Sequence, residues 1–333
     1  MESQNSIFCL NEKFSTTKRV LKDKPIVKNQ PKDYFESIIF LPENPERKNE
    51  GGLRTKGYFK KNFKAEPLVT IITVVFNGEE FIEEAINSVL NQTYSNIEYI
   101  IIDGGSLDKT IEIIKKYGDY IDYWVSEPDQ GIYDAMNKGI KLATGEIIGI
   151  LNSDDLYELD AIQNSVQCFI AENTDFTYGK AYVISKDGKR QGTQIPVDED
   201  QLKLRTQEAL FPHVSLLIRQ EVYKHKVGLF DTNYKISSDV ELMLRIKRKG
   251  CRGFNTGKFI GNFRRGGASG NGKALGEMRQ IAIKYGTSPM KALLKYYTSL
   301  LKLKISKILP RLVLYKIKQI TKSRWQLLEQ DKK

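Results

Sequence analysis

From residue 68 the chain alternates between short β-branched runs and amphipathic stretches. LVTIITVV (residues 68–75) is continuously apolar and predicts a strand buried on both faces. Phe81, Ile82, Ala85, Ile86, Val89 and Leu90 then recur at helical spacing, behind a glutamate-rich start that suits the positive end of a helix dipole. EYIIID (98–103) predicts a second strand, and Ile111, Ile113, Ile114 and Tyr117 a second helix. Residues 121–125 predict a third strand and 131–143 a third helix. The run Ile147, Ile148, Ile150 predicts a fourth strand. Strand, helix, strand, helix at this spacing predicts an α/β domain, with a Rossmann-like, mostly parallel central sheet and helices on both faces.

Each of these strands stops at polar or glycine residues: Phe76-Asn77, Asp103-Gly104-Gly105, Glu127-Pro128-Asp129, and Asn152 to Asp155. In open α/β sheets the carboxyl ends of the strands form the ligand crevice, so four separate segments are expected to converge on one site.

The flanks read differently. Residues 1–66 are polar and interrupted by Pro25, Pro31, Pro42 and Pro45, which predicts an extended N-terminal arm with one short strand at residues 37–41. The arm ends in GGLRTKGYFK (51–60), which reads as a solvated loop unless Tyr58 and Phe59 pack on the main domain. Beyond the fourth strand, residues 176–185 predict another strand, 186–200 a long surface connection, and 239–249 a helix. FRRGGASGNGKA (263–274) reads as a loop, followed by Lys-rich helical segments. The expected domains are therefore the arm 1–66, a body 67–275, and a basic helical tail 276–333.

Composition sharpens this picture. The chain has 333 residues and a formal net charge of +11, unevenly distributed. Residues 1–66 carry 14 basic and 9 acidic side chains, 67–290 carry 26 and 30, and 291–333 carry 12 and 2. An acidic body argues against nucleic acid, whose phosphates it would repel, and the basic tail points to a local anionic partner. Leu294, Tyr297, Leu301, Ile305 and Ile308 share one helical face, with Lys291, Lys295 and Lys302 mostly opposite. Residues 291–324 hold ten Lys or Arg and no acid, the pattern of a helix lying on an anionic membrane, or packing on the domain or on a partner chain. Three widely spaced cysteines support neither a disulfide framework nor a zinc motif. With no signal-peptide pattern and no apolar run near 20 residues, the expectation is a cytoplasmic protein, peripheral on the inner face of the plasma membrane.

Individual residues leave two readings open. Asp154 and Asp155 are good turn formers, or hard oxygen ligands for a divalent cation bridging to a phosphate. Asp239 follows Ser238, which with Glu241 has capping-box spacing, or it is a carboxylate able to take a proton from a hydroxyl. His213 is a hydrogen-bonded core histidine, or a metal or acceptor contact. Phe76 is core or a base-stacking ring, Asp103 a turn residue or a nucleotide contact, and Asn137 a cap or a crevice residue. Arg264 and Arg265 lie in a plain loop or clamp phosphate. GASGNGKA (267–274) misses the P-loop pattern because Ala274 stands where Ser or Thr must bind magnesium.

Taken together, VTIITVVFNGEEFIEEAINSVLNQTY, EYIIIDGGSLDKT, SEPDQGIYDAMNKGIKLATGEIIGILNSDD and KISSDVELMLRI resemble family 2 glycosyltransferases of the GT-A fold, over residues 69–269. GGLRTKGYFK is similar to the lead-in of bacterial surface-polysaccharide transferases of this type. The resemblance implies inverting sugar transfer from a nucleotide-diphosphate donor, with a UDP-sugar favoured, to a saccharide or polyprenyl-linked acceptor. It implies nucleotide-binding roles for Phe76, Asn77, Asp103, Asn137 and Asp154, with Phe76 stacking on the base and Asp103 pairing with uracil. Asp154 and Asp155 would hold Mg2+ or Mn2+ on the diphosphate, with Arg264 and Arg265 assisting there. Asp129 and His213 would line the sugar and acceptor pocket, and Asp239 would be the catalytic base. Asn152 replaces the first Asp of the family's D-x-D triplet and Gly104 a frequent second Asp. A non-catalytic nucleotide-sugar-binding or membrane-scaffold protein that keeps the fold is the alternative.

Overall fold

The computed structural model describes residues 6–196, 211–266 and 273–308. The chain divides into two compact units, Met1–Gly267 and Ala268–Lys333. The first is built on a ten-stranded sheet: β1 (Asn49–Gly51), β2 (Val69–Val75), β3 (Ile97–Asp103), β4 (Tyr123–Ser126), β5 (Ile147–Asn152), β6 (Leu156–Tyr157), β7 (Phe176–Ile184), β8 (Arg190–Gln194), β9 (Leu217–Arg219) and β10 (Gly253–Arg264). The spatial order is β1-β4-β3-β2-β5-β9-β7-β10-β6, with β8 paired on β7. The strands β4, β3, β2 and β5 are mutually parallel, as their unbroken apolar runs predict. Chain order and spatial order diverge at β2, with β3 on one side and β5 on the other. That switch point opens a crevice between the β2 and β5 exits.

Side-chain alternation divides the sheet's two faces. Val69, Ile71, Val75, Tyr99, Ile101, Ile147 and Leu151 enter one core with the apolar stripes of α1 (Ile82–Leu90), α2 (Thr110–Lys116) and α4 (Ala161–Glu172). On the other face α3 (Ile132–Leu142) rests on Ile72, close enough that a Cβ at Gly139 would collide with it. The helix α5 (Ser238–Arg248) follows the second half of the sheet in sequence. In the second unit α6 (Lys273–Lys284) packs on α7 (Pro289–Ile308). No helix among the described residues is long and apolar enough to cross a membrane.

Three expectations are corrected, and one strand appears that the sequence pattern did not indicate. Residues 37–41 form no strand; the N-terminal strand is β1, twelve residues on from the start of that range, and it pairs antiparallel with β4. Residues 51–60 are not a solvated loop. Leu53, Phe59 and Lys60 are buried, and the buried Arg54 guanidinium donates to Glu98 Oε1 (2.6 Å), Leu142 O (2.9 Å) and Ile39 O (3.0 Å). Thr16 Oγ1 also donates to Tyr120 O at 2.6 Å, so the N-terminal segment is hydrogen-bonded into the body. Within residues 186–200, β8 turns back on β7 as a hairpin rather than wandering over the surface; residues 197–210 lie outside the described residues. Finally β10, whose sequence GFNTGKFIGNFR has no sustained apolar run, is a long strand parallel to β7 with two register shifts. Its polar and glycine content reflects a half-exposed, bulged strand.

Candidate active site

The four strand exits converge as expected, and each is shaped by hydrogen bonds that the sequence pattern does not reveal. After β2, Phe76 is 60% exposed, so its ring belongs to the crevice rim and not to the core. Asn77 adopts the left-handed conformation (φ 51°), which Asn tolerates better than most residues. Its N–H donates to Ser106 Oγ (2.7 Å) and its Oδ1 accepts from Leu107 N–H (2.9 Å). The β2 and β3 exits are thereby clasped together, and Phe76 is held outward at their edge.

Asp103, at the end of β3, is fully buried. Its Oδ2 accepts from Gly105 N–H (3.1 Å), Ser106 N–H (3.0 Å) and Ser126 Oγ (2.6 Å), while Oδ1 accepts from Ser106 Oγ. A carboxylate so committed shapes the turn at the β3 exit. Lys48, which sequence reasoning passed over, donates from Nζ to Gly105 O (2.8 Å) and Ser106 O (3.1 Å) and braces the same turn from the N-terminal segment.

Asp129 accepts from Gly131 N–H (2.8 Å) through Oδ1, and its Oδ2 lies where a side chain at position 104 would begin. That explains Gly104 physically: the space a second acid would fill is taken by the Asp129 carboxylate, so any Cβ there would displace it. Burial pushes the Asp129 carboxyl up from its ordinary value. Asn137 is not a crevice residue. Its amide bonds both ways to the Phe230 backbone, Nδ2 to O at 3.0 Å and N to Oδ1 at 2.9 Å, and so ties α3 to the chain leading into α5.

At the β5 exit the two acids differ in environment. Asp155 is buried, with Oδ1 accepting from Arg264 N–H (2.9 Å) and Oδ2 facing Asn152 Nδ2 at 3.4 Å. Burial first, and the neighbouring Asp154 charge second, push its carboxyl up to about 8. Asp154 is half-buried, and burial raises its carboxyl also. Asn152 Oδ1 is buried and has no hydrogen-bond partner.

Arg264 does not clamp phosphate. Its Nε donates to Asp154 O (2.9 Å), one terminal nitrogen to Lys186 O (2.6 Å) and the other to Glu84 Oε2 (2.7 Å), and its guanidinium lies over the Phe81 ring at 4.4 Å. With these donors engaged and its side chain buried, it fastens the Asp154-Asp155 turn to α1 and to the β7–β8 hairpin. Arg265 is exposed, and its backbone N–H donates to Ile184 O. Most of the P-loop-like stretch, residues 267–272, lies outside the described residues.

Asp239 stands at the N-terminus of α5. The helix starts one residue earlier than expected, at Ser238 with Ser237 as its N-cap, so the Ser238–Glu241 capping box does not form. No side chain caps α5, and Glu241 instead pairs with Arg245 at 2.7 Å. Asp239 Oδ1 accepts a hydrogen bond from Tyr133 Oη at 3.0 Å. His213, in a short 3-10 turn, faces this region across Phe230, with ring centroids 6.4 Å apart. Burial lowers its pKa while the Asp239 charge opposes that shift.

The residues at the β5 exit fit a divalent cation. Two adjacent carboxyls, both pushed up by burial, would be relieved by positive charge, and Asp154 keeps its side chain half-exposed. Among the described residues no group of three His, Cys, Asp or Glu could hold a metal, so such an ion would take its remaining oxygens from ligand and water.

The sequence model described as Glycosyl transferase family 2 matches residues 70–226. An uncharacterized glycosyltransferase of Mycobacterium tuberculosis is 30% identical over 184 residues, which is 54% of this chain and 68% of that protein. The chain belongs to glycosyl transferase family 2. An uncharacterized glycosyltransferase of Rickettsia typhi is 34% identical over 189 residues, 55% of this chain and 59% of the relative, so the match spans about three fifths of that protein. Two solved structures have the same fold. TarS of S. aureus in complex with UDP-GlcNAc gives a TM-score of 0.54 at 16% identity, covering 68% of this chain and 69% of that one. The mannosyltransferase PcManGT of Pyrobaculum calidifontis, in complex with GDP-Man and Mn2+, gives 0.53 at 18% identity, covering 77% and 80%. The GT-A fold is thereby established.

Proposed function

We propose that this family 2 protein transfers a sugar from a nucleotide-diphosphate donor, a UDP-sugar by preference, to a hydroxyl of a saccharide or lipid-linked acceptor, with inversion at the anomeric carbon. The observation that carries this reading is the gathering of acids and an exposed aromatic ring at the strand exits, with Asp239 hydrogen-bonded to the first turn of α3, the helix that follows the β4 exit. Phe76 stacks on the base. Asn152 Oδ1, a buried acceptor lacking a partner, takes a hydrogen bond from the ribose. Asp154 is the carboxylate that would hold Mg2+ or Mn2+, with Asp155 behind it, and such an ion when bound neutralises the leaving diphosphate. Asp239 removes the proton from the acceptor hydroxyl as that oxygen attacks in line. Asp129 and His213 line the sugar and acceptor side.

The complexes with UDP-GlcNAc and with GDP-Man and Mn2+ support a nucleotide-sugar ligand and a divalent metal for this fold. A panel of nucleotide sugars scored by thermal stabilisation tests the reading. A UDP-sugar with Mn2+ is expected to raise the unfolding midpoint by several degrees, with a smaller rise without metal. No stabilisation by any member would contradict it.

Assembly of a bacterial surface polysaccharide on a polyprenyl carrier gives the basic tail a role. Along α7 the side chains Met290, Leu294, Tyr297, Leu301 and Ile305 are exposed at helical spacing, beside Lys291 and Lys295; the rest of the 291–324 segment beyond residue 308 lies outside the described residues. An apolar stripe flanked by cations complements an anionic bilayer surface. The full chain should co-sediment with phosphatidylglycerol vesicles more strongly than Leu294→Asp/Leu301→Asp does. Equal binding would remove the membrane from the account.

A further inference from the structure

Tyr133 opens the first turn of α3 directly after Gly131 and Ile132, and its side chain is buried at 6% exposure. Its ring is stacked on Phe230, with centroids 5.4 Å apart and planes 24° from parallel. Phe230 is itself fixed by the two-way hydrogen bonds of Asn137 to its backbone. The phenol therefore has little freedom about either torsion. Its hydroxyl donates to Asp239 Oδ1 at 3.0 Å. Burial, reinforced by the Asp239 charge, holds the phenol far above its ordinary range, so it stays a donor. The hydroxyl thus occupies one oxygen of the half-buried Asp239 carboxylate.

We propose that Tyr133 is the positioning residue for the base. By taking Oδ1 in a fixed hydrogen bond it sets the carboxylate torsion, so that Oδ2 is presented to the acceptor hydroxyl. A carboxylate at a helix start has broad freedom about its terminal torsion, and a base misdirected by about 1 Å costs roughly 10^2-fold in rate. Tyr133 touches neither donor nor acceptor, and it acts through Asp239. The inference rests on the reading of Asp239 as base.

The test is Tyr133→Phe in the full chain, assayed for sugar-nucleotide turnover alongside Asp239→Asn and the double variant. Phe keeps the ring on Phe230 and removes only the hydroxyl. The expected result is a kcat lowered 10- to 100-fold with donor KM within twofold of wild type, and no further loss when Tyr133→Phe is added to Asp239→Asn. Phe230→Leu, which loosens the stacking but keeps the hydroxyl, should lower the unfolding midpoint and cost less in kcat than Tyr133→Phe. If Asp239→Asn is inactive while Tyr133→Phe keeps wild-type kcat, the positioning role is wrong and the base reading survives. An additive loss in the double variant, or a Phe230→Leu effect on kcat as large as that of Tyr133→Phe, likewise overturns it. If Asp239→Asn itself turns over at the wild-type rate, the base reading fails and the inference falls with it.

Discussion

Replacing Asp239 with Asn should lower turnover by about 10^3-fold while leaving donor affinity within twofold. The amide is nearly isosteric, its oxygen can still accept from the Tyr133 hydroxyl, and α5 begins at Ser238 without help from a side-chain cap, so the fold should persist. What is lost is the lone pair that takes the acceptor proton. Because the acceptor hydroxyl is a very weak acid, no neutral amide can replace a carboxylate in that step. Donor binding is measured by thermal stabilisation and turnover by release of nucleoside diphosphate, so the two effects separate cleanly. Turnover near the wild-type rate would mean that another group is the base.

Asp154→Asn should produce the second large effect, of a different kind. Asp154 is the half-exposed member of the acidic pair, while Asp155 is buried and already accepts from the Arg264 backbone and faces Asn152. Removing the Asp154 charge should cost about 10^2-fold or more in turnover and should abolish the extra donor stabilisation that Mn2+ gives. The wild-type difference between donor with Mn2+ and donor with EDTA should collapse in the variant. If Asp154→Asn keeps the Mn2+ effect, the metal is held elsewhere.

The parallel half of the sheet was legible because its strands are buried on both faces and its helices on one. Those constraints write themselves into apolar runs and 3.6-residue stripes, as in 68–75 and 81–90. The convergence of the strand exits followed from topology alone. The second half was less legible for a physical reason: β10 and β8 are partly exposed and β10 is bulged, so neither needs an apolar run. The N-terminal segment misled for a related reason. Its attachment is made by polar groups, Arg54 on Glu98 and Thr16 on Tyr120 O, and buried polar anchoring looks like surface in a hydropathy pattern.

Within the site, residue types pointed to chemistry, but the direction of each side chain was invisible. Arg264 looked like a phosphate clamp, yet its donors are used inside the protein. Asn137 looked like a crevice residue, yet it holds the Phe230 backbone. Asp103 is consumed by its own turn. Tyr133 and Lys48 did not stand out by residue type, since a tyrosine at a helix start reads as core and a lysine in a polar segment reads as surface. Gly104 is the one departure whose cause the structure supplies, in the Asp129 carboxylate lying against it.

The central claim is that the strand-exit acids and Asp239 together move a sugar from a nucleotide. It is tested most directly by release of nucleoside diphosphate from a panel of UDP-sugars, using the purified full chain with Mn2+. Wild type, Asp154→Asn and Asp239→Asn are run in parallel. The account predicts release by wild type from at least one donor, its suppression by EDTA, and near-background rates in both variants. No release from any donor by wild type, or release by both variants at the wild-type rate, would contradict it.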